Sequence, residues 1–308
     1  MIRTDGITKR FAGQPPVNAL TDIDLTAQSG HATALVGPNG AGKTTLVKIL
    51  STLIIPTSGD AQVNGYSILR QSGQVKSSIG LVTVSERLFY FRLSALENLV
   101  FYGSLYNLSL SSAKERALEL LALVGLRDWA DTKAMHYSTG MLRRLALARA
   151  LLHDPPVVIL DEPTLGIDVV SSRSLRHMMR ELAKKKTVLF TSHYMKDIEE
   201  IAEQVYLMKE GRLVENGSPA ELIANAGKFF EVEIASPNVP HDLSKYVVAL
   251  NGSATRLRLP EALLGELGRS ATIIGSARAT LEDVYVKVVG ESTMDVRLHQ
   301  VKRGGGRE

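Results

Sequence analysis

The chain has 308 residues, of which 44% are hydrophobic and 22% are charged, and its formal net charge is +4. This balance is typical of a folded globular protein, and so small a positive charge by itself assigns no nucleic-acid or membrane partner. The absence of cysteine excludes disulfides and thiol catalysis. No apolar run reaches the about 18 residues that a membrane-spanning helix needs, and the first residues lack the apolar region of a signal peptide, so we expect neither.

The first predicted elements are a strand, a glycine-rich turn and a helix. Residues 17–26 alternate apolar and polar side chains, which predicts a strand, and residues 32–36 form the short apolar run of a second, buried strand. Glycines follow, and residues 44–53 then have the pattern of a helix. This order predicts a phosphate-binding turn between a strand and a helix.

Residues 37–44 read Gly-Pro-Asn-Gly-Ala-Gly-Lys-Thr, which matches the G-x-x-x-x-G-K-[ST] pattern. Glycines allow consecutive backbone N–H groups to point at phosphate oxygens, and the N-terminal end of the helix adds positive potential. Lys43 supplies charge for the β- and γ-phosphates, and the Thr44 hydroxyl suits Mg²⁺. The alternative is a glycine turn with a chance lysine, but the strand before it and the helix after it favour phosphate binding. The predicted nucleotide contacts are Gly37, Pro38, Asn39, Gly40, Ala41, Gly42, Lys43, Thr44 and Thr45.

Two acids follow the next buried strand, which is predicted over residues 157–160. Ligands bind at the carboxyl ends of strands in open α/β sheets, so Asp161 is expected to hold Mg²⁺ through water. Side chains alternate along a strand, which predicts that Glu162 points to the other side and serves as the base for an attacking water. A solvated strand end is the alternative, and the phosphate loop favours the functional interpretation.

The middle of the chain changes character. Residues from about 94 to 152 are rich in Leu, Ala, Glu and Arg with helical spacing, which predicts a helical insert over about residues 86–155. A strand is predicted before it at residues 79–84. A helix at about 171–185 and a strand at 187–191 complete a βαβ unit with the strand that precedes Asp161.

Residues 137–141, Tyr-Ser-Thr-Gly-Met, resemble the signature of the ABC transporter ATPases, whose usual form is Leu-Ser-Gly-Gly-Gln. Three of the five positions differ, while Ser138 and Gly140 match. The resemblance implies that these two residues present a hydroxyl and bare N–H groups to a γ-phosphate at a helix N-terminus. An ordinary helix start capped by serine is the alternative.

Further landmarks of this family follow in order. Residues 163–168 resemble the loop that contacts the opposite subunit, and Asp168 ends that loop. His193 resembles the switch histidine, which implies a hydrogen bond to the γ-phosphate and an orienting role toward water and Glu162. Phe11 matches the aromatic that stacks on adenine, with an edge-strand core residue as the alternative.

The resemblance covers residues 1–222. It implies an α/β fold, the P-loop NTPase of ABC type, with an antiparallel β subdomain and a helical insert.

One landmark is missing. The family usually has a glutamine after the strand at residues 79–84 that bridges Mg²⁺ and the membrane subunit, and here either Ser85 or a neighbouring residue occupies its place. We take Ser85 as the candidate Mg²⁺ ligand, with the carboxylate of Glu86 as the alternative.

Three aromatic residues, Phe89, Tyr90 and Phe91, follow closely, and three consecutive side chains cannot all point inward. Some of them are expected to dock on the membrane partner.

The C-terminal part, residues 228–290, is predicted as a small α+β domain with a regulatory or dimerisation role. Its predicted strands are residues 229–235, 245–250, 255–259 and 271–275. Thr280 and Asp283 have capping-box spacing at the start of a helix that Gly290 ends. Residues 279–287 are similar to the end of drug- and polysaccharide-exporter ATPases of the daunorubicin-resistance kind, which favours export. Residues 291–308 are expected to be a disordered tail.

The resemblance implies an ATP-hydrolysing subunit that uses ATP and Mg²⁺ and drives export through a separate membrane permease. It further implies a homodimer at the cytoplasmic face of the membrane, with no nucleic-acid partner. One alternative is a non-transport ABC ATPase, although the coiled-coil arms or second cassette usual in those proteins are not evident in the sequence. The other is a nucleotide-binding regulator, which the missing glutamine motivates.

Overall fold

The computed structural model describes residues 1–83, 89–235, 239–251, 254–267 and 271–290. The chain divides into two compact units, Met1–Leu213 and a second that begins at Val214. The sequence placed the end of the first domain later, at residue 222. The division comes earlier because the helix at Pro219–Asn225 packs against the helix at Leu281–Val289, within the second unit.

The described elements have the following bounds. The strands are β1 Ile2–Phe11, β2 Val17–Ile23, β3 Thr26–Ala27, β4 Ala32–Val36, β5 Ser58–Val63, β6 Tyr66–Ser67, β7 Ile79–Val82, β8 Val157–Asp161, β9 Thr187–Ser192, β10 Gln204–Lys209, β11 Arg212–Gly217, β12 Phe229–Ala235, β13 Val247–Asn251, β14 Ala254–Pro260 and β15 Ala271–Ala277. The α-helices are α1 Lys43–Leu50, α2 Ser72–Ser78, α3 Ala95–Leu105, α4 Leu110–Leu123, α5 Thr139–Ala150, α6 Val169–Ala183, α7 Met195–Ile201, α8 Pro219–Asn225 and α9 Leu281–Val289.

The central sheet carries the site. Five of its strands are parallel, in the order β10-β4-β9-β8-β7, and its sixth strand, β11, contains the point where the chain divides. Every residue of β4, β8 and β9 is buried, as continuous apolar strands covered on both faces require. Since these three strands are parallel neighbours, their carboxyl ends meet at one edge. The segments that follow Val36, Asp161 and Ser192 therefore lie close together.

The antiparallel subdomain is present, with strand order β2-β1-β5-β6 and β3 paired to β1. The single strand predicted over residues 17–26 is wrong in extent, because it breaks into β2 and β3. Sequence patterns did not indicate β1 or β5. Six of the ten residues of β1 and three of the six residues of β5 are polar, and β1 contains Gly6 at φ 58°, so local propensity is weak and cross-strand pairing decides.

The helical insert is present, and its described α-helices are α3, α4 and α5. Serine side chains cap all three: Ser94, Ser109 and Ser138 accept hydrogen bonds from backbone N–H groups three residues on. Before α3, Phe89 is buried, whereas Tyr90 and Phe91 are 52% and 40% exposed. This confirms that the three aromatics do not all point inward. Ser85 and Glu86 lie outside the described residues.

Several predicted boundaries shift. Helix α1 spans Lys43–Leu50 instead of residues 44–53, and α6 spans Val169–Ala183 instead of 171–185. Asp168 starts α6 early because its carboxylate accepts hydrogen bonds from the first free backbone N–H groups. Strand β7 ends at Val82, and residue 84, the predicted end, lies outside the described residues.

The second unit is built on a four-stranded antiparallel sheet, β13-β14-β12-β15. Strand β13 begins at Val247, two residues later than predicted, because a 3-10 helix occupies His241–Tyr246. Helix α9 starts with the predicted capping box of Thr280 and Asp283 and ends at Gly290, whose φ is 84°. The core of the unit is formed by Val232, Ile234, Leu243, Tyr246, Leu257, Leu259 and Val286.

Candidate nucleotide site

The glycine loop after β4 is shaped by close backbone packing. A Cβ on Gly37 would lie 2.2 Å from the Met208 carbonyl oxygen, so a side chain at residue 37 would force the backbone apart. Gly42 precedes α1 with φ 105°, a conformation that favours glycine. Asn39, Gly40 and Thr44 are exposed, Pro38 and Thr45 are half-buried, and Ala41 is buried. The loop therefore presents its tip to solvent on a rigid base.

Lys43 lies under this loop. Its Nζ donates to the carbonyl oxygens of Gly37 at 2.5 Å and Pro38 at 3.1 Å, and it lies 3.7 Å from Oε1 of Glu162. The residue is 6% exposed. A nearly buried ammonium surrounded by carbonyl and carboxylate oxygens is a fixed positive charge beneath the backbone N–H groups of the loop.

A hydroxyl and a carboxylate meet beside the loop. Thr44 Oγ1 donates to Asp161 Oδ2 at 3.0 Å, and Thr191 Oγ1 donates to Asp161 Oδ1 at 2.7 Å. Thr44 is exposed, whereas Asp161 is 2% exposed, so the pair is open to ligand only on the Thr44 side. Hydroxyl and carboxylate oxygens form a hard donor set that fits Mg²⁺.

Glu162 and His193 form a hydrogen-bonded pair next to Lys43. His193 Nδ1 lies 2.8 Å from Glu162 Oε2, and the backbone N–H of Glu162 donates to Thr191 Oγ1 at 2.8 Å. His193 Nε2 is buried and has no hydrogen-bond partner within the described parts of the chain. An imidazole nitrogen without a partner, adjacent to a carboxylate, is suited to receive an external oxygen ligand.

The direction of Glu162 corrects one sequence argument. Strand alternation predicts that its side chain points to the side opposite Asp161. The strand ends at Asp161, and Glu162 adopts φ 48°, in the left-handed region. A turn, and not strand alternation, therefore determines where the carboxylate points. A non-glycine residue in this conformation is uncommon, and such residues cluster at functional sites.

Ser138, Gly140 and Asp168 form a separate cluster. Ser138 accepts a hydrogen bond from the backbone N–H of Met141 at 3.2 Å, as a helix cap does. A Cβ on Gly140 would lie 2.7 Å from Ser171 Oγ and 3.7 Å from Asp168 Oδ2, so α5 and the start of α6 touch here. The structure thus places Gly140 beside Asp168, with Ser138 two positions before Gly140, and the side chains of Ser138 and Asp168 accept hydrogen bonds from backbone N–H groups of α5 and α6.

Asp168 is held as a carboxylate. It accepts from the backbone N–H groups of Ser171 at 2.9 Å and Val170 at 3.0 Å. The hydrogen bond from the Ser171 backbone is the largest cause that lowers the pKa of Asp168 from its ordinary value. The carboxylate therefore stays charged at neutral pH and fixes the N-terminal turn of α6.

Phe11 ends β1 and is 38% exposed, so it is not the edge-strand core residue considered as the alternative. The Nζ of Lys9 lies 5.1 Å from the centroid of its ring. A half-exposed aromatic with a cation over one face presents a flat apolar surface on which a planar ring can stack. The predicted Mg²⁺ ligand Ser85 lies outside the described residues.

Sequence reasoning missed two polar groups that support the site. Thr191 links Asp161 to the backbone of Glu162, and its only signal was its place before His193. Asp197 accepts hydrogen bonds from Thr164 and Ser192, which flank the Glu162 and His193 segments. The available signal was a carboxylate four residues after His193 on a short helix.

A glycine loop at the carboxyl edge of a parallel sheet, with an ammonium, a magnesium-type oxygen pair and a carboxylate–imidazole pair, defines a P-loop ATPase. Residues 20–165 match the ABC transporter family model. The Nod factor export ATP-binding protein I of Burkholderia lata is 34% identical over 305 residues, covering 94% of this chain and 97% of that protein. The chain belongs to the ABC transporter ATP-binding proteins.

Two further comparisons agree with this family. The daunorubicin resistance ATP-binding protein DrrA3 of Streptomyces coeruleorubidus is 37% identical over 227 residues, covering 73% of this chain and 71% of that protein. Among solved structures, a dimeric ATP-binding cassette in a post-hydrolysis state, bound to ADP and Pi, has a TM-score of 0.65 at 25% identity, covering 71% of this chain and 98% of that one. Within the described residues, no helix of this chain is long and apolar enough to cross a membrane.

Proposed function

We propose that this chain hydrolyses ATP to drive export through a separate membrane subunit, bound at the cytoplasmic face of the membrane. The observation that carries the proposal is that two groups converge on the Glu162 carboxylate. His193 Nδ1 lies 2.8 Å from its Oε2, and Lys43 Nζ lies 3.7 Å from its Oε1. Export is favoured by the Nod factor export protein of Burkholderia lata, whose likeness covers 94% of this chain.

The loop residues 37–45 would bind the phosphates of ATP. Their backbone N–H groups and the start of α1 supply partial positive charge, and Lys43 supplies a full charge. Lys43 bonds to two carbonyl oxygens of its own loop. When ATP binds, phosphate oxygens would replace these acceptors, so the ammonium group would keep its hydrogen bonds. Phe11 would stack on the adenine ring.

Thr44 and Asp161 would hold Mg²⁺, directly or through water. When bound, the ion neutralises charge on the β- and γ-phosphates and orients them for attack. The Thr44 hydroxyl, exposed at 3.0 Å from the Asp161 carboxylate, supports this assignment. Ser85 stays a proposed third ligand.

Glu162 would accept the proton of the attacking water, as general base. His193 would hold the Glu162 carboxylate through Nδ1 and direct its buried Nε2 toward the γ-phosphate or the water. Thr191 supports both acids, since its hydroxyl donates to Asp161 and accepts from the Glu162 backbone N–H.

A homodimer would complete the site. The side chains of Ser138 and Asp168 bond within α5 and α6, and Gly140 lies beside Asp168, so we assign all three residues to the nucleotide held by a second copy. The exposure of Ser138 and Thr139 in the signature turn and the dimeric cassette among the similar structures support this arrangement. Residues 228–290, a part of the second unit, would act in regulation or dimerisation.

The membrane subunit would dock at a cleft of about 470 Å³ in the first unit. The cleft is lined in part by Leu81, Tyr102, Leu105 and Tyr106. The ring centroids of Tyr90 and Phe101 are 4.9 Å apart, and those of Phe101 and Tyr102 are 5.5 Å apart. These aromatic rings therefore extend the apolar surface beyond the cleft. Surfaces of this kind mark protein interfaces.

The non-transport alternative has less support. In the lysine run at residues 184–186, Lys184 is paired with Glu181 at 2.6 Å, and Lys186 is paired with Asp154 at 2.6 Å. These pairs reduce the charge that the run offers to nucleic acid.

The test is to purify the tagged full-length chain from its native membrane under mild detergent, identify any integral membrane protein that co-purifies, and measure ATP hydrolysis. We expect a membrane protein in stoichiometric amount and Mg²⁺-dependent turnover. Nucleotide binding without turnover, with the membrane partner present, would instead support the regulator and contradict the proposed function.

A further inference from the structure

Asp197, in the first turn of α7, connects the two loops that carry Glu162 and His193. The residue is 2% exposed. Its Oδ2 accepts hydrogen bonds from the hydroxyl of Thr164 and from Ser192 Oγ at 3.1 Å. Thr164 lies two residues after Glu162, and Ser192 immediately precedes His193. One carboxylate oxygen therefore forms a tie, made of these two hydrogen bonds, between the segments that present the proposed base and its orienting histidine.

Arg176 makes this burial possible. Its Nη1 donates to Asp197 Oδ1 at 3.0 Å, and its Nε donates to Glu200 Oε2 at 2.7 Å. Arg176 is 5% exposed. A buried carboxylate is stable only when it is paired and its lone pairs are satisfied, and Asp197 meets both conditions. The tie is therefore anchored on α6 and α7.

The tie acts on the geometry of the reacting groups. The two loops are also joined by the hydrogen bond from the Glu162 backbone N–H to Thr191 and by the contact between Glu162 and His193. The second of these depends on both side chains keeping their orientation. Ser192 Oγ also accepts from the backbone N–H of Tyr194 at 3.0 Å, which closes the turn around His193. Loss of either hydroxyl frees one loop to shift relative to the other.

We propose that Asp197 is a positioning residue for ATP hydrolysis. By holding Thr164 and Ser192, it keeps the side chains of Glu162 and His193 within hydrogen-bonding distance of each other. This inference rests on the proposed function. Loss of the Asp197 hydrogen bonds should therefore slow the chemical step without weakening nucleotide binding. The reason is that Asp197 bonds to Thr164 and Ser192, whereas the phosphate loop is held by contacts of its own.

The experiment leaves Asp197 intact, because its removal would leave Arg176 buried and partly unpaired. In the full-length chain, Thr164→Val removes one donor at nearly constant volume, Thr164→Ser restores a hydroxyl, and Ser192→Ala removes the other donor. Matched controls are Thr33→Val and Ser78→Ala. Thr33 is a buried threonine whose hydroxyl has no partner in the described part of the chain. The Ser78 hydroxyl donates to the Gln74 carbonyl within α2 and accepts from the Asn64 side chain at 3.4 Å, so it makes two hydrogen bonds away from the site.

We expect Thr164→Val and Ser192→Ala each to lower kcat about tenfold or more, with KM for ATP within about twofold, because small displacements of reacting groups cost rate steeply. Thr164→Ser and both controls should keep kcat within about threefold of the parent chain. Because either change breaks the same tie, the double variant should be no slower than the slower single variant.

The inference would be overturned by a Thr164→Val variant that retains parental kcat, or by effects of the two changes that simply multiply. Equal losses of ATP affinity and kcat would also overturn it, since they indicate a general structural role. If Thr164→Val does not fold, Ser192→Ala carries the same test. A parent chain without ATP turnover would contradict the proposed function instead, which separates the two failures.

Discussion

His193 Nδ1 lies 2.8 Å from Glu162 Oε2, although 31 positions of sequence separate the two residues. They follow β9 and β8, which are parallel neighbours in the central sheet. Lys43, after the adjacent strand β4, lies 3.7 Å from the other oxygen of the same carboxylate. This carboxylate is therefore the point where three loops meet, and substitutions around it test the proposed chemistry most directly.

Glu162→Gln should abolish ATP hydrolysis and leave ATP binding intact. A glutamine amide keeps the size of the side chain but cannot accept the proton of the attacking water, so we expect turnover to fall by about 10²- to 10⁴-fold. With ATP added, the variant should accumulate as a long-lived dimer, measured by size-exclusion chromatography with light scattering. Glu119→Gln, at an exposed glutamate paired with Arg116, is the control. A Glu162→Gln variant that stays monomeric with ATP would contradict the proposed dimer.

Lys43→Ala should weaken ATP binding by about 10- to 100-fold, because one charge-assisted bond to phosphate is lost. Affinity is measured with a fluorescent ATP analogue, and the fold is checked by circular dichroism. Lys48→Ala is the matched control, since Lys48 is exposed in the last turn of the same helix. Unchanged affinity in Lys43→Ala would remove the phosphate-loop assignment.

Tyr90→Ser combined with Phe91→Ser should reduce co-purification of the membrane subunit about tenfold, because exposed aromatic anchors are lost from the docking surface. The ATP affinity of the isolated chain should not change. Leu110→Ser, at a residue 76% exposed on the helical insert, controls for the loss of an exposed apolar side chain. Full retention of the membrane subunit by the double variant would exclude these two side chains from the interface.

His153→Gln should make the stability of the chain less sensitive to acid. Burial, the largest cause, lowers the pKa of His153, whose Nε2 contacts the Ile79 carbonyl at 3.2 Å. A histidine whose folded pKa is lowered binds protons more readily when unfolded, so stability falls as pH drops through the ordinary value of about 6.5. Urea unfolding at about pH 7.5 and about pH 5.5, either side of that value, measures the difference.

The control for that measurement is His31→Gln, at an exposed histidine. We expect the parent chain and His31→Gln to lose more unfolding free energy on acidification than His153→Gln does. An identical loss in all three would show that His153 does not contribute to the acid response.

The landmarks of the nucleotide site were predictable because they are local. The glycine loop and the two acids after an apolar strand each depend on neighbouring residues only, and the same holds for the capping box of Thr280 and Asp283 in the second unit. Ser138 was also readable as a helix cap, and the structure confirms that it caps α5. Strands β1 and β5 were not predictable, since their many polar residues form strands through cross-strand pairing, with each other and with β2, β3 and β6.

The sequence by itself determined the phosphate loop of residues 37–44, the acids at its side and, through order and spacing, the family. Tertiary structure decided how these groups act on one another. It set the direction of Glu162 through a left-handed turn, and it joined Thr164 and Ser192 through the buried Asp197. Such relationships depend on the packing of parallel strands and on the burial of a charge, which are properties of the assembled sheet and not of any local segment.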